Sequence, residues 1–235
     1  MTPLRRLLAW GVHLYTASGV LWGLFALEAI FEGRYGHAYW WMLFAVVVDS
    51  TDGPMARRIR VKEAVPEIDG ALLDNIVDFL TWTFVPLVLI WHAGWAPDPA
   101  WPWLALALVG SLYAFSHADA KQTKKGFFRG FPSYWNVAAF YIDVYVRHLG
   151  AWAVAGVLAG LALLSVLPVR FVYPNRVKRF RPFFFGGGAL SAALYFYMFS
   201  IYPDVPAWMI GAASLYPAGY VLASVYLDWE DRRSA

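Results

Sequence analysis

Long apolar runs follow one another along almost the whole chain. Because a membrane-spanning helix needs about 20 apolar residues, each run of this kind predicts one span. The runs cover residues about 7–31, 38–56, 71–93, 101–118, 134–147, 151–169, 183–201 and 206–227. This pattern predicts an all-α, polytopic membrane helical bundle of about eight transmembrane helices, folded as a single domain over residues 1–235.

The positive charges between the runs predict the orientation of the bundle. Cytoplasmic loops of membrane proteins carry an excess of Lys and Arg. If the N-terminus is cytoplasmic, all of the 19 Lys and Arg residues except Arg34 and Arg147 fall in cytoplasmic segments. The pattern therefore predicts that both termini lie in the cytoplasm.

Four aspartates lie at the ends of two predicted spans. Asp49 and Asp52 are three residues apart, and Asp74 and Asp78 are four apart, so each pair shares one face of a helix. An ionised carboxylate in hydrocarbon costs at least about 2.5–3.5 kcal/mol, and four that converge repel one another unless cations are bound. Carboxylate oxygens suit Mg²⁺, Mn²⁺ or Ca²⁺. The spacing therefore predicts a divalent metal site at the cytoplasmic face.

The residues that follow the first pair indicate what the metal is for. Gly53 and Ala56 are small enough to allow close approach of a ligand, and Arg57 offers a planar cation suited to phosphate. Together with a metal site, these residues predict a diphosphate ligand. The chain contains no cysteine, which excludes disulfides, thiolate zinc sites and cysteine nucleophiles.

Two prolines bear on the helices around this site. Pro54 removes a backbone donor within the motif, which predicts a kink or an unwound turn near Asp52. Pro66 indicates that the segment between the two aspartate pairs is not one continuous helix.

These residues together form a known signature. The chain resembles the CDP-alcohol phosphotransferases, integral membrane enzymes of phospholipid synthesis, through the motif Asp49-x-x-Asp52-Gly53-x-x-Ala56-Arg57 and then Gly70-x-x-x-Asp74-x-x-x-Asp78. The spacer at residues 58–69 is longer than in most of the family and resembles the bacterial phosphatidylcholine synthase branch. The segments DGPMARR, VPEIDGALLDNIVDFLTW and FFRGFPSYWNVAAFY are similar to that branch as well.

The resemblance implies a reaction and its cofactors. An alcohol, choline in this branch, would attack the phosphorus that bears diacylglycerol in CDP-diacylglycerol and expel CMP. Two ions, Mg²⁺ or Mn²⁺, would be held by the four aspartates, with Asp49 and Asp74 on both ions, Asp52 on the first and Asp78 on the second. Asp78 would also be the catalytic general base.

The resemblance also implies partners and a location. CDP-diacylglycerol would contact Gly53, Ala56, Arg57 and Gly70, although Gly70 is also explained by helix packing. Because a quaternary ammonium is held by aromatic faces, choline would contact Phe79, Tyr134 and Trp135, although packing or lipid contact also explains each of these residues. The family further implies a bacterial inner membrane with the active site at its cytoplasmic face, membrane lipids as partners, a homodimer, and no nucleic acid.

One basic segment has a second interpretation. The segment RFVYPNRVKRFRP faces the same predicted side as the aspartates, and its cations could bind anionic lipid headgroups or the phosphate of the substrate. These cations are Arg170, Arg176, Lys178, Arg179 and Arg181.

Three alternatives remain open from the residues themselves. The same chemistry could serve another alcohol, such as serine, inositol or glycerol phosphate. Intramembrane prenyl transfer also uses aspartates and magnesium, but with two motifs in separate halves of a chain. An ion transporter or membrane scaffold would place its acids in mid-membrane and show pseudo-symmetric halves.

Overall fold

The chain is described by a computed structural model over residues 2–117, 121–122, 126–173 and 179–234. It forms two compact units. The first unit comprises Met1–Ala93 and Trp135–Ala139, and the second comprises Gly94–Tyr134 and Phe140–Ala235. The single domain over residues 1–235 stays a prediction.

The first unit is helical. Its elements are α1 (Pro3–Ala17), α2 (Gly19–Phe31), α3 (Tyr35–Ile59), α4 (Val61–Ala64), α5 (Gly70–Asp78), a π-helical segment (Phe79–Phe84), α6 (Val85–His92) and the first turn of α8 (Trp135–Val144). Helix α2 packs against α3 and approaches α5 closely at Gly19, where a Cβ atom would lie 2.5 Å from Cγ1 of Val77. A residue with a side chain would therefore push α2 and α5 apart.

The second unit combines helices with a small sheet. Its further elements are α7 (Trp101–Ser116), β1 (Lys121–Gln122), β2 (Phe127–Arg129), a 3₁₀ turn (Val146–Leu149), α9 (Ala151–Val166), β3 (Arg170–Val172), a π-helical segment (Phe183–Gly187), α10 (Gly188–Ser200) and α11 (Ala207–Ser234). Helices α7 and α9 pack closely, because Gly110 allows the backbone oxygen of Ala162 to approach.

The described residues are mostly helical, which agrees with the predicted all-α class, and the small sheet is an addition that was not predicted. Its strands run antiparallel in the order β1-β2-β3, with Phe127 opposite Val172 and Phe128 opposite Phe171. Aromatic and β-branched residues favour paired strands, and here they lie in two loops that otherwise appear only basic. The buried side chains of β2 and β3 join residues of α11 and the second π-helical segment in an aromatic core formed by Phe127, Phe171, Val172, Phe184, Tyr220 and Leu227.

The helices identify an integral membrane protein. Each of the eight predicted segments contains helix, and four helical stretches within the described residues are long and apolar enough to span a membrane: Pro3–Phe31, Gly70–His92, Phe183–Ser200 and Ala207–Arg233. Their outer faces expose leucines that a water-soluble protein would bury, such as Leu190 at 73% and Leu215 at 74% exposure. The count of eight spans and the cytoplasmic termini stay predictions.

The two prolines had different outcomes. Helix α3 continues through Pro54 to Ile59, so the turn near Asp52 is not unwound, and the alternative of a kink there stays a prediction. Proline removes one backbone hydrogen bond, and the neighbouring turns of this 25-residue helix hold the ladder on both sides. The prediction at Pro66 is confirmed, because α3 ends at Ile59, Arg60 after it has a left-handed conformation, and the chain from Val65 to Asp69 is not helical.

Candidate metal centre

Three of the four predicted aspartates lie together in the first unit. Asp49, on α3, and Asp74 and Asp78, on α5, each place a carboxylate oxygen within 4.8 Å of the other two. All three side chains are half-buried. Oxygen ligands lie about 2.0–2.6 Å from Mg²⁺ or Ca²⁺, so two ligands on opposite sides of one ion are about 4–5 Å apart. The three carboxylates therefore have the chemistry and the spacing to hold a divalent cation.

The spacer between the motif halves brings α3 and α5 together. After α3 ends, α4 and the segment that follows pack on α1, with Val61, Ala64 and Val65 buried against Ala9 and Val12. Helix α5 then begins at Gly70, and Asp69 caps it: its side chain accepts hydrogen bonds from the backbone N–H groups of Ala71 and Leu72, at 3.0 and 3.1 Å. The longer spacer is thus a packed corner of the first unit.

Ion pairs fix this corner to the start of α1. Arg5 donates to the backbone oxygen of Ile59 at 3.0 Å and pairs with Glu63 at 2.9 Å. Arg6 pairs with Glu67 at 2.6 Å. A hydrogen bond from its own backbone N–H, followed by the bond from Arg6, lowers the pKa of Glu67 from its ordinary value of 4.5.

The fourth aspartate occupies a different environment. Asp52 is one helical turn beyond Asp49 on α3 and is only 5% exposed. Its Oδ2 atom accepts a hydrogen bond from Oγ1 of Thr16, on α1, at 2.7 Å. The three-carboxylate group does not include Asp52, whose role as a metal ligand stays a prediction.

The structure shows packing at each of the small residues assigned to the nucleotide. A Cβ atom at Gly53 would lie 3.2 Å from the Nη1 atom of Arg57, so the guanidinium lies over this glycine. Arg57 itself is exposed. Ala56 packs against the buried corner next to α1. Gly70 lies against the ring of His13, which agrees with the helix-packing interpretation. Contact of these four residues with CDP-diacylglycerol stays a prediction.

The three aromatic residues assigned to choline differ in their surroundings. Phe79 follows Asp78 directly, at the start of the π-helical segment of the first unit, and is half-buried. Tyr134 belongs to the second unit, where its ring lies 6.4 Å from that of Phe131 and 6.5 Å from that of Tyr220. Trp135, in the first unit, is fully buried. Choline contact stays a prediction for all three.

The basic segment of the second unit has acidic partners that the sequence analysis missed. Arg170 is 12% exposed and pairs with Asp228 and with Asp231 of α11, the latter at 2.7 Å. Its guanidinium also lies 4.8 Å from the ring centre of Phe127. Arg179 pairs with Glu230. Arg170 thus ties β3 to α11, whereas Arg176 and Lys178 lie outside the described residues.

Polar residues of α1 were missed as well. His13 and Thr16 are 6% and 7% exposed and are three residues apart on the face that meets α3 and α5. The signal for them was available, since polar side chains within an apolar run predict contact with the interior of a bundle.

Comparison with known proteins identifies the family. No family model matches the chain. It is 34% identical to the phosphatidylcholine synthase of Rhizobium johnstonii over 226 residues, which cover 94% of this chain and 92% of that protein. It is 32% identical to the phosphatidylcholine synthase of Borreliella burgdorferi over 99% of both chains, and 39% identical to that of Pseudomonas aeruginosa over 77% and 76%.

The chain belongs to the phosphatidylcholine synthase branch of the CDP-alcohol phosphotransferases. The resemblance stated from the aspartate motif is confirmed. Because the alignment with the Borreliella burgdorferi protein spans 99% of this chain, the membership extends well beyond the motif.

Proposed function

We propose that the chain transfers the phosphatidyl group of CDP-diacylglycerol to choline, giving phosphatidylcholine and CMP. The observation that carries this proposal is the group of Asp49, Asp74 and Asp78 in a chain whose relatives are named phosphatidylcholine synthase. This membership argues against prenyl transfer and ion transport. It also favours choline over serine, inositol and glycerol phosphate.

The chemistry is a displacement at phosphorus. The hydroxyl oxygen of choline forms a bond to the phosphorus that bears diacylglycerol, and the bond from this phosphorus to the oxygen of CMP breaks. Asp78 accepts the hydroxyl proton as general base, since an alcohol is a weak nucleophile until its proton is removed. Divalent cations, when bound, neutralise charge on the diphosphate and on the leaving oxygen. No covalent enzyme intermediate is required.

The remaining residues of the motif bind and orient. Asp49 and Asp74 would hold both of two Mg²⁺ or Mn²⁺ ions, with Asp52 on the first and Asp78 on the second. Arg57 is exposed and suited to a phosphate of the nucleotide, with Gly53 leaving room beside its guanidinium. Ala56 and Gly70 would line the same substrate.

Choline recognition would begin at Phe79. Its ring follows the general base directly and retains exposed surface, and an aromatic face attracts a quaternary ammonium. Contacts from Tyr134 and Trp135 belong to this proposal only as predictions from the family resemblance.

The membrane setting is proposed in the same way. The bacterial relatives and the distribution of Lys and Arg support an inner-membrane enzyme of about eight spans, with both termini and the active site on the cytoplasmic side. A homodimer is proposed from the family alone.

The experiment measures CMP release by the purified chain from CDP-diacylglycerol in the presence of Mn²⁺ or Mg²⁺. Parallel reactions contain choline, serine, inositol, glycerol 3-phosphate or no alcohol. We expect CMP release only in the reaction that contains choline, and we expect Asp78→Asn to abolish it. The matched control is Asp204→Asn, because Asp204 lies exposed in the loop after α10 and should not affect turnover. Release with a different alcohol would contradict the choline assignment.

A further inference from the structure

Two hydrogen bonds join α1 to α3, and each of them joins residues 36 positions apart in the sequence. The hydroxyl of Tyr15 lies 2.8 Å from that of Thr51, and Oγ1 of Thr16 lies 2.7 Å from Oδ2 of Asp52. Consecutive residues of one helix thus bind consecutive residues of the other. Such a pair of bonds fixes both the rotation of α3 about its axis and its position along α1.

The hydroxyl of Thr16 has two acceptors within reach and only one proton. The backbone oxygen of Val12 lies 3.3 Å away, in the usual position for a threonine that bonds back to its own helix. The carboxylate oxygen of Asp52 is closer, at 2.7 Å, and the shorter donor–acceptor distance marks the stronger of the two hydrogen bonds. The proton therefore goes to Asp52.

Burial limits the other partners that the carboxylate of Asp52 could find. Thr16 is 7% exposed and Asp52 is 5% exposed, so little water is available to replace the hydroxyl. A carboxylate buried away from water needs hydrogen-bond partners within the protein. The bond from Thr16 to Oδ2 therefore restricts the rotation of this carboxylate.

Asp52 lies one turn from Asp49 on the same face of α3. The bond that orients Asp52 therefore also holds the segment of α3 that presents Asp49 to Asp74 and Asp78. We propose that Thr16 is a positioning residue of the metal centre, which orients Asp52 and α3 for binding of a divalent cation. This inference rests on the proposed metal site but not on the identity of the alcohol.

The test compares Thr16→Val, which keeps the shape and removes the hydroxyl, with Thr16→Ser, which keeps the hydroxyl. Thr83→Val is the matched control, because Thr83 is fully buried in the same unit and its Oγ1 has no hydrogen-bond partner among the described residues. Binding of Mn²⁺ to the full-length protein is read directly from the loss of the electron paramagnetic resonance signal of the free ion. The Mn²⁺ dependence of CMP release is measured on the same samples.

Residues that orient a metal ligand typically contribute about 10–100-fold to metal affinity or activity. We expect Thr16→Val to raise the Kd for Mn²⁺ by about ten-fold or more and to shift the activation curve equally. Thr16→Ser should lie within about two-fold of the wild type, since its hydroxyl can make the same bond. Thr83→Val should match the wild type.

Two outcomes would overturn the inference: a Thr16→Val variant that binds Mn²⁺ like the wild type, or a Thr16→Ser variant as defective as Thr16→Val, which would indicate packing of the methyl group. The two readouts separate this inference from the proposed function. If the wild type binds Mn²⁺ but releases no CMP with any alcohol, the proposed function fails, while the Kd values still decide the role of Thr16. Absence of Mn²⁺ binding in the wild type would overturn both.

Discussion

The imidazole of His13 lies directly against Gly70, at the start of α5. A Cβ atom at position 70 would lie 3.1 Å from Cε1 and 3.7 Å from Nδ1 of that ring. Because His13 is only 6% exposed, the ring has little room to withdraw. The contact therefore sets how closely α1 approaches the helix that carries Asp74 and Asp78.

The first prediction is that Gly70→Ala destabilises the protein. The added methyl group forces His13 or α5 to move, and overpacking of this kind costs about 1–3 kcal/mol. Thermal unfolding in detergent measures the effect. Gly11→Ala is the matched control, because a Cβ atom at Gly11 of α1 meets nothing within 4 Å. That change should leave stability unchanged or raise it by about 0.5–1 kcal/mol. Equal melting temperatures for Gly70→Ala and the wild type would contradict the prediction.

The second prediction concerns the three carboxylates. Asp74→Asn should lower CMP release by more than about 100-fold, because one cation ligand is lost. In EDTA the variant should be at least as stable as the wild type, since one of three mutually repelling charges has been removed. Mn²⁺ should raise the melting temperature of the wild type but not of the variant, because only a protein that binds the ion is stabilised by it.

Asp204→Asn serves as the control and should keep both the activity and the Mn²⁺-induced rise. A loss of stability in EDTA together with a normal response to Mn²⁺ in Asp74→Asn would indicate a structural aspartate instead of a metal ligand.

The group of three aspartates could be predicted from the sequence because each motif half has a local, helical spacing. Asp74 and Asp78 share a face of α5 by helical geometry alone, and a turn in the spacer brings Asp49 to them. The bond from Thr16 to Asp52 could not be predicted in this way, because it joins residues 36 positions apart. Helical periodicity says which face a residue occupies but not which residue of another helix it meets.

The same limit explains the missed sheet and the missed partners of Arg170. Strands of two or three residues carry little periodic signal, and Phe127 and Phe171 lie in loops dominated by their charges. The acids that pair with Arg170 are Asp228 and Asp231, at the far end of the chain. The run of cations predicted a binding surface, which stays a prediction, whereas long-range packing pairs Arg170 with two acids of α11.

The third prediction follows from that ion pair. Arg170→Gln should destabilise the protein by about 2–3 kcal/mol, because it leaves a nearly buried carboxylate with one partner fewer. The remaining pair of Asp228 with Arg232, at 3.0 Å, keeps the loss from being larger. Thermal unfolding followed by the fluorescence of the tryptophans measures it.

Arg179→Gln is the comparison for Arg170→Gln. Its partner is Glu230, and both side chains are about half exposed, at 50% and 41%. Exposed ion pairs contribute less than about 1 kcal/mol, so this variant should unfold close to the wild type. If the two variants lost the same stability, the burial of Arg170 would not explain the loss in Arg170→Gln.

The fourth prediction is a pH dependence at the spacer. The pKa of Glu67 is lowered in the folded protein by a hydrogen bond from its own backbone and then by Arg6. The folded state therefore favours the ionised form of Glu67, and that form stabilises the fold. A group whose pKa is lowered on folding stabilises the protein above its unfolded pKa, here near 4.5, and this contribution disappears as the pH falls through the folded pKa. The wild type should therefore melt at a higher temperature than Glu67→Gln at pH 6, and the difference should disappear as the pH falls below 4.5 and through the lower pKa of the folded state. Because Glu67 and Arg6 are both exposed to solvent, added salt should weaken the part of the difference that comes from their ion pair. Melting curves of the two proteins across this pH range test the direction of this pKa shift. A difference in melting temperature that grows on acidification would contradict a lowered pKa of Glu67.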